Sequence, residues 1–129
     1  MITNELNSVA EFHNAFRIAM TDKPTIDLPL DIIKLRFNLM KEENEEYLEA
    51  AENNDMIEVA DALGDMLYIL CATILTHGMQ HKIQEVFEEI QRSNMSKLGE
   101  DGQPIYREDG KVLKGSNYFK LNIKDILEK

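Results

Sequence analysis

The segment "MIEVADALGDMLYILCATIL", residues 56–75, is apolar almost all the way round a helical circumference. A helix of that composition predicts a mostly buried element against which the rest of the chain packs, and its few charges cannot all escape to water. Glu58, Asp61 and Asp65, spaced i, i+3, i+7, fall on one narrow stripe with Ile57, Gly64, Tyr68 and Ala72. The opposite side, Val59, Leu63, Met66, Leu70 and Ile74, is wholly hydrophobic.

A second segment, "RFNLMKEENEEYLEAAENND" at 36–55, poses the same problem. With about 100° of rotation per residue, Ile32, Arg36, Leu39, Tyr47 and Ala50 cluster around Glu43, and Glu46 and Met40 sit on its two shoulders. Glu43 therefore stands in the middle of an apolar stripe. Glu42 lies at the margin, whereas Glu45 and Glu49 point to the far side and read as solvated. A run such as "KEENEE" is ordinarily a solvated helix face. A solvated face would not set Glu43 between Leu39 and Tyr47, nor Asp61 and Asp65 on a nearly uncharged helix. Carboxylates held together away from water are strongly unfavourable unless a cation neutralises them. Hard oxygen ligands select Mg²⁺ or Mn²⁺, and no Cys or His cluster favours zinc.

The remaining elements follow from periodicity and punctuation. Leu6, Val9, Phe12, Phe16 and Ile18 predict a helix over residues 6–20, ended by "TDKPTIDLPL" with its two prolines. Asp31 is placed to cap a helix over 32–51, and Asp55 to cap the next, which Gly78 stops after His77. A fourth amphipathic helix runs from about Lys82 to Lys97, with Ile83, Val86, Phe87 and Ile90 on one side. Beyond it, "IYREDGKVL" predicts a short hairpin and "IKDILEK" a last helical turn or two. At 129 residues the chain fits one domain. The lone Cys71, set among Leu70, Ala72 and Ile74, reads as a small buried thiol.

Composition narrows the function. A net charge of −10 excludes broad contact with a nucleic-acid backbone. No signal peptide is evident, and no apolar run reaches the ~20 residues of a membrane span. A cytoplasmic protein with no membrane or nucleic-acid partner is expected.

At these residues the sequence resembles the all-α nucleoside triphosphate pyrophosphohydrolases, the superfamily of MazG, dimeric dUTPases and phosphoribosyl-ATP pyrophosphohydrolase. The first half of the signature reads "EENEE", with Glu42, Glu43 and Glu46. The second lies in "EVADALGDMLY", where "GDMLY" puts an aspartate at Asp65 but Ala62 stands three residues before it. Either Asp61 replaces the missing glutamate, or Glu58 and Asp61 are themselves the Glu-x-x-Asp pair. "FHNAF", "SNMSK" and "REDGKVLKG" are similar to a MazG-like subgroup, so the resemblance covers most of residues 9 to 120.

The resemblance implies an all-α fold with a four-helix bundle-type core and an irregular or hairpin tail, in a single domain spanning 1–129. It implies Mg-dependent cleavage of a nucleoside triphosphate to monophosphate and pyrophosphate in nucleotide-pool house-cleaning. Glu43, Glu46, Asp61 and Asp65 would hold Mg²⁺ or Mn²⁺. Glu42 would orient or deprotonate the water, with Glu58 as alternative base or ligand. Asn94 and Lys97 would hold the nucleotide, and Lys111 and Lys114 the phosphates, while Arg107 reads as an ordinary surface charge. Arg36 reads as a structural partner to a carboxylate, and His13 as a structural histidine. Relatives assemble as homodimers or homotetramers, and the same is expected here. The competing expectation is a non-enzymatic helical dimerisation or adaptor module with acidic faces.

Overall fold

The structure is a computed structural model that describes residues 2–129. All regular secondary structure among them is helical: α1 Thr3–Ala15, α2 Leu30–Glu52, α3 Met56–Thr76, α4 Ile83–Met95 and α5 Ile123–Glu128. They fall into two compact units, the first ending at His81 and the second beginning at Lys82.

In the first unit α2 packs along α3, and α1 packs on α3. The turn between α2 and α3 is only Asn53 to Asp55, so the two helices run antiparallel. Asn54, at φ 56°, takes the left-handed conformation the reversal needs, one that asparagine tolerates better than most residues. Asp55 caps α3 by accepting the Glu58 N–H at 3.1 Å, as expected. The other end is also as expected: α3 stops before His77, and Gly78 sits at φ +66°. A Cβ there would meet the Lys23 carbonyl oxygen at 2.1 Å, so only glycine lets the 18–29 linker lie against the end of α3. Thr21 N–H donates to Leu75 O at 3.2 Å and Thr25 N–H to His77 O at 3.0 Å, tying that linker down.

Three helix expectations are corrected. α1 ends at Ala15 rather than near residue 20, because Ile18 N–H turns back to His13 O at 2.8 Å and Arg17 adopts φ 58°. Asp31 does not cap α2. The Pro29 carbonyl accepts the Ile32 and Ile33 N–H groups at 3.0 and 3.2 Å, so the helix starts at Leu30 and Asp31 lies inside its first turn. The third correction concerns α3, which is not mostly buried within this chain. Ala62, Cys71, Ala72, Ile74, Leu75 and Thr76 are buried, but Met56, Ile57, Leu63, Leu67, Tyr68 and Leu70 are exposed. α1 and α2 each cover one side of α3, its burial is greatest towards the C-terminal end, and the side they leave uncovered is bare.

By length and overall composition α3 is also apolar enough to cross a membrane, although its acids leave no uninterrupted apolar run of that length. Asp61 and Asp65 would then enter the hydrocarbon, where ionisable groups are expensive.

In the second unit α4 packs with α5. Glu89, buried on α4, accepts Arg92 Nη2 at 2.7 Å and the Asn122 backbone N–H at 2.8 Å, which holds the start of α5. Between them the expected hairpin is reduced to one antiparallel bridge, Tyr106 to Val112, closed by Arg107 N–H to Lys111 O and Leu113 N–H to Ile105 O, both 2.8 Å.

Candidate active site

The antiparallel pairing of α2 and α3 turns the two acidic stripes on one another. Glu43 is half-buried, and its Oε2 is shut off from solvent with no hydrogen-bond partner. Burial first, then a hydrogen bond with Glu46 and the negative charges of Glu46, Asp65 and Asp61, together push its carboxyl up to about 7. The stripe geometry thus brings together Glu43, Glu46, Asp61 and Asp65. Asp65 is half-buried, and Glu46 and Asp61 are exposed.

Next to this cluster, at the turn end of the pair, lies a recess of about 260 Å³ lined by Glu46, Glu49, Ala50, Asn53, Asp55, Glu58 and Asp61. Glu58 is therefore placed beside Glu46 and Asp61. Glu42 is exposed and does not line the recess. Glu49, assigned by the wheel to the solvated far side, does line it, because the short turn brings the last turns of α2 over the first of α3. Glu45 fits the solvated reading, lying 4.0 Å from Lys41 with both side chains exposed.

The donors suit a hard divalent cation: carboxylates only, from two rigid helices, one with an orphaned oxygen. Among the described residues no three His, Cys, Asp or Glu side chains are drawn up closely enough to hold an ion as they stand.

Beyond the acids stand His13 and Arg36. His13 is buried, its Nδ1 has no partner, and burial first and the Arg36 charge second lower its pKa. That environment keeps the ring neutral and fits the structural reading. Phe12, its neighbour, meets Tyr68 of α3 edge-on at 5.7 Å between ring centroids. Arg36 departs from expectation. It is half-buried, joins no ion pair among the described residues, and its guanidinium is depressed by desolvation alone.

The other expected substrate residues belong to the second unit. The Asn94 carbonyl accepts the Lys97 N–H at 3.1 Å, and the Lys97 carbonyl accepts the Gly115 N–H at 2.8 Å. That bond sets Lys114 in the loop that crosses the end of α4. The Lys114 ammonium stands 4.7 Å over the Tyr118 ring. Lys111 is exposed and donates its backbone N–H to Asp109 Oδ1 at 3.1 Å. Arg107 pairs with Asp109, donating from Nε at 2.9 Å, as befits a surface charge.

Residues 9–94 match the family model of phosphoribosyl-ATP pyrophosphohydrolase. The chain belongs to this family. The matched span holds every acidic residue of the cluster and ends at Asn94, before Lys97, Lys111 and Lys114. Among solved structures, the chain is similar to a "putative NTP pyrophosphohydrolase" from Exiguobacterium sp. 255-15, with 26% identity, coverage of 91% of this chain and 88% of that one, and a TM-score of 0.48. Comparison with curated proteins gives no significant match.

Proposed function

We propose that this chain is a divalent-metal-dependent nucleoside triphosphate pyrophosphohydrolase, converting a nucleoside triphosphate and water to the monophosphate and pyrophosphate. The observation that carries the reading is the Glu43 carboxylate, aimed at Glu46, Asp61 and Asp65 with one oxygen left without a partner. Such a cluster is costly in an empty protein and becomes favourable around a cation. Glu43, Glu46, Asp61 and Asp65 would hold Mg²⁺ or Mn²⁺, which when bound supplies charge neutralisation at the phosphates. Family membership supports hydrolysis of a phosphoanhydride.

The water needs a base on the cluster's open side. Glu58 lines the recess beside Glu46 and Asp61 and is well placed; Glu42, exposed at the margin, is the other choice. Attack at the α-phosphorus breaks its bond to the bridging oxygen, which leaves with pyrophosphate, and the water proton passes to the carboxylate. Asn94 and Lys97 are proposed to hold the nucleotide, and Lys111 and Lys114 its phosphates.

We further propose that the protein is cytoplasmic, acts in nucleotide-pool house-cleaning, and works as a homodimer or homotetramer. The bare apolar face of α3, with Leu63 at 50% and Leu67 and Leu70 each at 45% exposure, supports association. Incubation with a panel of canonical and modified nucleoside triphosphates plus Mg²⁺ tests the activity. Pyrophosphate and monophosphate as products support it, and orthophosphate with a diphosphate refutes it.

A further inference from the structure

Arg36 occupies an expensive position for which nothing in the first unit compensates. In a chain of net charge −10, any half-buried arginine would be expected to find a carboxylate. Arg36 has no ion pair, no side-chain hydrogen bond and no aromatic face among the described residues, although its guanidinium is partly dehydrated. Desolvating a charge without a partner costs stability.

Its placement on the helices is specific. α1 and α3 carry no Lys or Arg, and α2 carries Lys34, Arg36 and Lys41. Lys34 and Lys41 lie on the far side of α2 from Glu43, and Lys41 faces Glu45. Arg36 is thus the one cation of these three helices on the acidic face. It stands two turns before Glu43, about 10 Å along the helix. Across that gap Arg36 makes no ion pair with Glu43 or with any other carboxylate among the described residues. An acidic cluster for a cation and, two turns away on the same face, an unpaired cation make a two-ended site.

We infer that Arg36 binds the pyrophosphate end of the triphosphate, with the α-phosphate at the acidic cluster. The inference rests on the pyrophosphohydrolase reading and adds a residue to it. A guanidinium fork matches phosphate oxygens in a bidentate manner, and an incoming anion would supply the counterion that the empty protein lacks. The exposed pyrophosphate left after cleavage would stay in contact with Arg36, whereas the nucleoside monophosphate would not.

The test compares wild type with Arg36→Gln and Arg36→Lys in the full chain. Inorganic pyrophosphate, with Mg²⁺ present, is titrated by calorimetry and as a product inhibitor. Nucleoside monophosphate is titrated in parallel, and melting temperatures are recorded without ligand. Loss of the charge-assisted contact should weaken pyrophosphate binding and raise the triphosphate KM by about 10- to 100-fold in Arg36→Gln. Monophosphate affinity should stay the same, Arg36→Lys should recover part of the loss, and the ligand-free melting temperature should hold or rise. Unchanged pyrophosphate affinity, a loss confined to the monophosphate, or a falling melting temperature with intact pyrophosphate binding would each overturn the role of Arg36. Failure of wild type to release pyrophosphate from any triphosphate would instead refute the enzymatic reading.

Discussion

Asp55 Oδ1 accepts the Glu58 backbone N–H at 3.1 Å, and this bond sets the first turn of the helix that carries Glu58, Asp61 and Asp65. Asp55→Ala should lower stability by about 1 kcal/mol, the usual cost of losing an N-cap. Asp55→Ser should restore most of it. Thermal melts of the three proteins check this, and equal melting points would show that the cap adds nothing.

Glu43 gives the metal-free protein a distinctive pH dependence. Its folded carboxyl, raised to about 7, lies above the ordinary value of 4.5, so folding binds a proton. The stability this contributes is fully present below pH 4.5 and is lost as the pH rises through 7. Glu43→Gln removes the titration. In EDTA, the variant should melt higher than wild type at pH 8, and the gap should close towards pH 4.5. Adding Mg²⁺ should raise wild type more than the variant. A wild type that melts higher at pH 8 would contradict the clustering.

Turnover should vanish in EDTA and return with Mg²⁺. Glu46→Gln, Asp61→Asn and Asp65→Asn should each lower kcat and weaken metal binding while circular dichroism stays unchanged. Removing the general base should cost about 10²- to 10⁴-fold without loss of metal affinity. Comparison of Glu42→Gln with Glu58→Gln identifies which carboxylate has that role. Full activity in EDTA would sink the metal-dependent reading.

Gly78→Ala should destabilise the first unit by about 2 kcal/mol or more, because a β-carbon at positive φ and against the Lys23 carbonyl forces the linker off α3. Urea titration measures the loss. Gly102→Ala, also at positive φ but with nothing near its β-carbon, should cost less.

Light scattering at micromolar concentration should give a mass of two or four times 14.9 kDa. Charges placed on the bare face, as in Leu63→Lys with Leu70→Lys, should reduce it to a single chain. A wild-type mass near 14.9 kDa would refute association.

Features governed by chemistry within a few residues were legible in the sequence. Asp55 and Gly78 mark the ends of α3 because a cap and a left-handed stop depend on immediate neighbours. The inward stripe of Glu43 was legible because helical rotation is regular. Asp31 was misread since the Pro29 carbonyl had already begun the helix two residues earlier. Glu49 is exposed, as expected, but the wheel could not show that it lines the recess, because a wheel treats one helix and the recess exists only where two meet. The apolar girth of α3 indicated burial but could not say by what, and one chain leaves much of it uncovered. Arg36 looked like a partner for a carboxylate because the acids near it in sequence are many; none of them reaches it.

The three residues from Asn53 to Asp55 that join α2 to α3 bear on how such a chain can change over generations. Lengthening the 18–29 linker outside its ties at Thr21, Lys23 and Thr25 shifts only a strap, and extra residues around the Tyr106 to Val112 bridge alter a loop. One residue added between Asn53 and Asp55, if absorbed by winding α3, would turn that helix by about 100° and carry Asp61 and Asp65 away from Glu43. Insertions and deletions should therefore accumulate in the linker and the tail and be purged from this turn, so that its length is inherited along with the acids it holds opposite one another.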